Sequence, residues 1–231
     1  MYRRFFKRAL DVLFSIFALL ILSPLLLLLT LIGLFAFRGR AFFLQKRPGK
    51  KDKSGREKIF SLLKFRSMTT LRDQNGKLLP DGARLTRYGR FLRATSLDEL
   101  PELFNILLGS MSFVGPRPQL VRDMVFMTTE QRRRHDVTPG LTGLAQVSGR
   151  NSISWEEKLD YDLVYIDRGI SFSHDLAILF RTLKTVSRPD ETVREGTSSD
   201  TDYGDWLLAR GRITREEYDA KQKEAKEWEK G

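Results

Sequence analysis

Cysteine is absent from these 231 residues. Disulfide scaffolds, thiolate metal sites and cysteine nucleophiles are therefore excluded, and the composition suits a reducing compartment. Histidine is nearly absent: His135 and His174 are the only two. A histidine-rich metal centre or a Ser-His-Asp triad has little material to draw on. No internal repeat stands out. Charge is missing from one long stretch, residues 12–37, VLFSIFALLILSPLLLLLTLIGLFAF.

As a straight helix, that uncharged run would measure about 39 Å, more than the roughly 30 Å of a bilayer hydrocarbon core. It is too long for the apolar part of a secretory signal, and FRGR follows in place of a small-residue cleavage site. Two readings stand. One is a single spanning helix kinked at Pro24. The other is a re-entrant hairpin, in which Ser23 and Pro24 divide the run into halves of about 18 and 21 Å, each too short to cross alone. Proline breaks or kinks a helix because it lacks an N–H and collides with the carbonyl four residues back. The flanks favour the hairpin. Arg3, Arg4, Lys7 and Arg8 precede the run; Arg38, Arg40, Lys46, Arg47, Lys50, Lys51 and Lys53 follow it. Basic flanks prefer the cytoplasmic face, and only the hairpin keeps both there. Asp11 and the Ser23 hydroxyl are available to satisfy backbone groups.

The formal net charge of +11 is uneven. Residues 190–231 hold 8 Lys and Arg against 12 Asp and Glu, which leaves +15 on residues 1–189. Such a body expects an anionic partner: phosphorylated substrates, acidic headgroups or nucleic acid.

After the anchor, FFLQKRPGKKDKSGREKIFSLLKFRSM alternates apolar and polar residues around two turn signals, Pro48-Gly49 and Ser54-Gly55. The pattern predicts strand, basic loop, strand. Residues 72–82 form a polar loop, and 84–96 a short basic helix suited to a headgroup surface. In 98–112, Leu100, Leu103, Phe104, Leu107 and Leu108 recur at helical spacing before Gly109. FVGPRP (113–118) reads as a stiff turn, followed by helix to about residue 135. Residues 138–152 are a Gly-rich loop, whose Gly140, Gly143 and Gly149 are turn formers or a phosphate cradle. Helices are expected over 154–168 and 172–187, a linker over 190–205, then a charged helical hairpin turning at Gly211. Thr214 and Glu217 there have capping-box spacing.

The chemistry centres on RATSLDELPELFN, where Asp98 and Glu99 are adjacent. Ser96-x-x-Glu99 also has the pattern of a capping box, a purely structural account of the acid pair. Pro101 is tolerated only in a first helical turn, so a helix must begin close by. Helix starts bind phosphate through free N–H groups. Arg90 and Arg93 come just before, and Arg117 sits in GPRP just after. One carboxylate can attack phosphorus, its neighbour can hold Mg2+ alongside substrate phosphates, and arginines can neutralise the transferring group.

SLDELPELFNILLGSMSFVGPRP, with KFRSM upstream and PGLTGLAQVSGRNSISWEEKLDYD downstream, resembles the bacterial sugar transferase family. These are the monotopic polyprenyl-phosphate phosphoglycosyl transferases. The resemblance spans roughly residues 1–187 and is closest to the small, PglC-like members. Several separated motifs occur in order behind the Ser-Pro anchor, which makes it specific. It implies transfer of a sugar 1-phosphate from a UDP-sugar to undecaprenyl phosphate, with release of UMP, through a covalent phosphosugar-aspartate intermediate and with Mg2+. It makes Asp98 the nucleophile and Glu99 the metal ligand. Lys64, Arg93, Arg117 and Arg150 fall on positions suited to phosphate contacts. It implies a mixed, helix-rich α/β fold: a re-entrant membrane helix-break-helix at Ser23-Pro24, and a cytosolic globule with a small sheet and membrane-surface amphipathic helices. The resemblance also implies a location on the phospholipid bilayer, at the cytoplasmic face of the bacterial inner membrane.

The organisation expected is a membrane hairpin over 1–38, a catalytic domain over 39–189, and a linker with a helical extension over 190–231. Each site residue has a structural alternative. Arg117 could stiffen its turn, Arg150 could cap a helix, and Lys64 and Arg66 could touch headgroups. His135 and His174 read as structural or exposed. The competing class is a membrane-tethered basic binding module for anionic lipid or nucleic acid; with no nucleic-acid motif present, no nucleic acid is expected. A third reading keeps the transferase but gives it a spanning anchor. A second copy of the chain, through anchor or tail, is a candidate partner. The sugar is undecided by any residue pattern; N-acetylated hexosamines and their deoxy derivatives follow from the resemblance alone.

Overall fold

The computed structural model describes residues 1–149, 153–186 and 201–230. The linker expected after residue 190 lies largely outside them. After a π-helical turn at Tyr2–Phe6, α1 runs from Lys7 to Ala36 as one helix with Pro24 inside it. The expected division at Ser23-Pro24 is therefore not an interruption of the helix. The reason is local. Pro24 cannot donate to the Leu20 carbonyl, and the Ser23 hydroxyl donates to it at 2.8 Å. Both residues lie on the exposed side.

The other side of α1 is packed. Asp11, Ser15, Leu29 and Gly33 are buried, with Ala18, Leu19, Leu22, Leu25 and Leu26 against the body between them. Steps of three and four place these on one stripe along the whole helix. Each end is tied by polar groups. Lys7 and the Tyr2 hydroxyl donate to buried Asp175, Arg8 to the Ile106 and Leu107 carbonyls, and Asp11 accepts from the Phe113 N–H. Toward the other end, Tyr88 donates to the Leu29 carbonyl at 2.7 Å.

β1 (Phe42–Lys51) and β2 (Glu57–Phe65) form an antiparallel hairpin. Its turn lies at Asp52–Gly55, where Asp52 collects the Ser54 and Arg56 N–H groups. Pro48-Gly49, expected as a turn, instead lies within β1 at a shift of register between Pro48 and Lys51. A proline without an N–H is accommodated at such an irregularity. The one-turn α2 (Asp81–Arg84) precedes α3 (Arg87–Ala94), capped by the Thr86 hydroxyl on the Gly89 N–H. A 3-10 turn at Leu97–Glu99 leads into α4 (Glu102–Leu108), which Gly109 ends at φ 92°. Leu92 and Ile106 are wholly buried, each contributing about 1.5–3 kcal/mol by removal from water.

The stiff FVGPRP segment and the Gly-rich loop hold a pairing that periodicity does not reveal. β3 (Ser112–Val114) runs parallel to β4 (Gly140–Thr142), so the described residues hold two small sheets in place of the one expected. Each strand is three residues long, too short for an alternating pattern. Close approach explains the glycines: a Cβ on Gly140 would lie 2.1 Å from the Gly115 nitrogen. The helix expected up to residue 135 is instead one turn, α5 (Val121–Met124), and a separate 3-10 segment, Gln131–Asp136. Then come α6 (Leu144–Ser148), α7 (Trp155–Asp167) and α8 (Phe172–Val186). The last two match their expected ranges closely.

α9 (Tyr203–Ala209) and α10 (Arg215–Lys230) form the expected hairpin, with Gly211 at φ 64° and a reciprocal Thr214–Glu217 box. The hairpin is packed onto the body. Tyr203 and Leu207 join Met127, Trp155 and Leu159, and Ala225 joins Val121, Met124 and Val125.

Candidate active site

The site forms where β2, the Leu97–Glu99 turn and the GPRP loop meet. α4 is docked on β2 by Asn105, which accepts from the Leu63 N–H and donates to the Ser61 carbonyl, both at 2.9 Å. That side-chain amide mimics a neighbouring strand and brings Lys64 to the acid pair. Ser96 sits in the left-handed region at φ 56° and makes no capping bond. The capping-box account of Ser96-x-x-Glu99 therefore fails. The Glu99 carboxylate points away from the helix start and into a cluster of cations. A left-handed non-glycine residue is the kind of local strain found at functional sites.

Glu99 accepts from Lys64 Nζ at 2.9 Å and from both terminal nitrogens of Arg117 in a forked pair. Burial opposes its charge, but Arg117 and Lys64 hold its carboxyl far below the usual range. Glu99 in turn raises the Arg117 pKa. Glu102 is almost wholly buried and lies 3.2 Å from Lys64 Nζ without hydrogen-bond geometry. Desolvation pushes its carboxyl up. Asp98 is different again. Among the described residues its carboxylate has no hydrogen bond. Burial raises its pKa and Glu99 adds to that, while the charges of Lys64, Arg93 and Arg117 pull it down. Two adjacent carboxylates thus stand in unlike states: one clamped by cations, one held close to them with its oxygens unspent.

Lys64, Arg93, Asp98, Glu99 and Arg117 are brought together. Arg93 approaches from α3, its guanidinium on the Ser67 hydroxyl at 3.0 Å and beside Met68 sulfur. Arg150 lies outside the described residues. Arg66 turns away, onto the Arg40 and Phe42 carbonyls. Ser23 and Pro24 lie on the exposed side of α1. His135 is buried against Glu57, and His174 is exposed beside the Gly169 carbonyl. Residue-level reading missed Glu102, Arg47 and Arg134. Arg47 hides in a basic run, where it counts only toward the cytoplasmic flank of the anchor. Its Nη1 donates to the Pro118 carbonyl at 3.2 Å, and burial beside Arg117 lowers its pKa to about 10. Arg134 carries no local signal, because its burial is purely tertiary.

The donor set suits Mg2+, which takes hard oxygens through one or two carboxylates and leaves the rest to water and phosphate. Among the described residues no group of three or more acidic or histidine side chains forms a metal cage. Glu99 is the carboxylate that would hold such an ion, and since it already accepts from Lys64 and Arg117, phosphate and water would have to supply the other ligands.

The model of one family, described as bacterial sugar transferase, matches residues 2–189. The chain is 46% identical over 180 residues to the uncharacterized sugar transferase EpsL of Bacillus subtilis, covering 78% of this chain and 86% of that one. It is 36% identical to the exopolysaccharide production protein ExoY of Sinorhizobium fredii, over 78% of this chain and 84% of that one. It is also 39% identical to the UDP-glucose:undecaprenyl-phosphate glucose-1-phosphate transferase of Klebsiella pneumoniae, over 77% of this chain but only 39% of that longer protein. All three matches leave part of the chain uncovered, and the family match stops before α9 and α10. With the site assembled on the matched part, the chain belongs to the bacterial sugar transferase family.

Proposed function

We propose that the protein transfers a sugar 1-phosphate from a UDP-sugar to undecaprenyl phosphate and releases UMP. The observation that carries this reading is the unlike pair, Asp98 with unspent oxygens beside Glu99 locked between Lys64 and Arg117. Transfer of the sugar 1-phosphate through a covalent intermediate needs one carboxylate free to reach phosphorus and cations for the departing charge. In the first half-reaction an Asp98 oxygen bonds to the sugar-bearing phosphorus. The bond from that phosphorus to the bridging oxygen breaks, and UMP leaves with the electron pair. In the second, an oxygen of undecaprenyl phosphate attacks the same phosphorus and the Asp98 carboxylate departs. Mg2+ held through Glu99 and the diphosphate would neutralise charge as it develops. Arg93, Arg117 and Lys64 hold the phosphate oxygens, and Arg150 is a further candidate for that role.

The protein sits on the bilayer without crossing it, at the cytoplasmic face of the inner membrane. One stripe of α1 is packed along its length while the opposite face bears exposed Phe14, Phe17, Ile21, Leu28, Leu31 and Phe35. A helix with a charged globule along its whole flank cannot take that globule through hydrocarbon. The exposed Phe172, Leu176, Phe180 and Leu183 of α8 add to the lipid-facing surface.

The test is UMP release by detergent-solubilised protein across a panel of UDP-sugars with Mg2+ and undecaprenyl phosphate. Release dependent on both the acceptor and one or two donors is the expected result. Absence of release with every donor, from folded protein, overturns the reading.

A further inference from the structure

We propose that the buried Arg134–Asp162 pair is the positioning device for Arg117. The inference rests on the transferase reading for its kinetic consequence and on geometry for its existence.

The GPRP loop has little means of holding itself. Pro116 and Pro118 have no N–H, so the loop's backbone is fixed mainly through its carbonyls. Each of three consecutive carbonyls is taken by a different element. Pro116 accepts from the Gly140 N–H at 3.0 Å, Arg117 from Arg134 Nη2 at 2.6 Å, and Pro118 from Arg47 Nη1 at 3.2 Å. Arg134 is the central clamp. Its side chain is 1% exposed and Asp162 on α7 is 4% exposed. Arg134 Nε and Nη2 reach one Asp162 oxygen at 2.9 and 2.6 Å. The same Nη2 that bonds Asp162 also bonds the Arg117 carbonyl. Asp162 therefore orients the guanidinium, the guanidinium pins the Arg117 main chain, and the Arg117 side chain forks onto Glu99.

A buried ion pair is a poor source of stability, because desolvation offsets the attraction, and hydrophobic replacements of equal volume are often tolerated. A device that fixes one peptide group gains from that cost in another way. It needs a rigid fork with several donors, which arginine supplies and lysine does not.

The test separates position from stability. The double replacement Arg134→Met with Asp162→Leu removes both charges together and leaves neither buried alone. It is expected to keep the melting temperature close to that of the unaltered chain. The Gly140 amide should exchange faster with solvent, and kcat should fall roughly 10²-fold with KM for the UDP-sugar little changed, the signature of a misplaced group. Arg134→Lys keeps the charge opposite Asp162 but loses the rigid planar fork that reaches Asp162 and the Arg117 carbonyl together. It should show the same split, and it serves if the double variant does not fold. Unchanged Gly140 exchange together with unchanged kcat overturns the proposal. Failure of the unaltered chain to turn over any donor overturns the transferase reading instead; the Gly140 exchange then decides the positioning claim alone.

Discussion

At the scale of single residues, the site works by treating neighbours unequally. Asp98→Asn should abolish turnover by at least roughly 10³-fold while leaving folding and membrane association intact, since Asp98 holds nothing in place. Glu99→Gln should cost roughly 10²-fold in kcat. Its melting temperature should also move, because Lys64 and Arg117 lose their anion; purified variants assayed in parallel by UMP release and thermal unfolding check both. The residues that bear this chemistry were legible as types. RATSLDELPELFN announces two adjacent carboxylates with Arg93 shortly before them, and GPRP announces a stiff carrier for Arg117. Which carboxylate is clamped and which is free was not legible. That depends on Ser96 adopting a left-handed backbone and on Lys64 arriving from a strand 34 residues upstream in the numbering. Glu102, Arg47 and Arg134 were invisible for the same reason: only the assembled fold buries them.

At the scale of elements, the long periodic segments were readable and the short ones were not. α7, α8 and α10 match helical ranges legible in the sequence, and the Thr214–Glu217 cap of α10 is legible there too. β3 and β4 are too short to show a period, and their pairing relies on backbone contact between Gly115 and Gly140. Gly140→Ala should therefore destabilise the protein by about 1–3 kcal/mol through forced displacement of that contact, read as a lowered melting temperature. The anchor was half legible. Pro24 stands out in the sequence, but the continuity of α1 through it does not; the Ser23 hydroxyl takes the Leu20 carbonyl that Pro24 leaves open. Its topology has a direct test, made clean by the absence of native cysteine. Arg3→Cys and Lys53→Cys should both resist a membrane-impermeant thiol reagent in intact cells and react after lysis. Labelling of Arg3→Cys alone from outside would restore the spanning helix.

At the scale of the whole molecule, buried ionisable groups give stability a pH dependence with opposing parts. Burial lowers the His135 pKa to about 4 from its ordinary 6.5. The folded state thus binds fewer protons than the unfolded one between those values. Its contribution is fully present above pH 6.5 and is lost as pH falls toward 4. Asp123, raised to about 6 by burial, acts the other way: its folded carboxyl holds a proton more tightly, so stability gains as pH falls through 6. Comparing His135→Gln with the unaltered chain isolates the first. Between pH 7.5 and 4.5 the unaltered chain should lose about 1–3 kcal/mol more than the variant, measured by chemical unfolding in detergent. An equal loss in both would mean that His135 does not titrate across this range.

The packed stripe of α1 bears on how the protein could be handled without lipid. Leu29 closes over Phe65 and Leu92, and Leu19 and Leu22 close over Leu62 and Ile106. Cutting away the first 38 residues to obtain a soluble fragment would strip one wall from two core clusters and leave it open to solvent. A water-soluble form is better sought by recoding. Polar replacements at Phe14, Phe17, Ile21, Leu28 and Phe35 change only the outward face, and the helix stays as the wall the enzyme is built against.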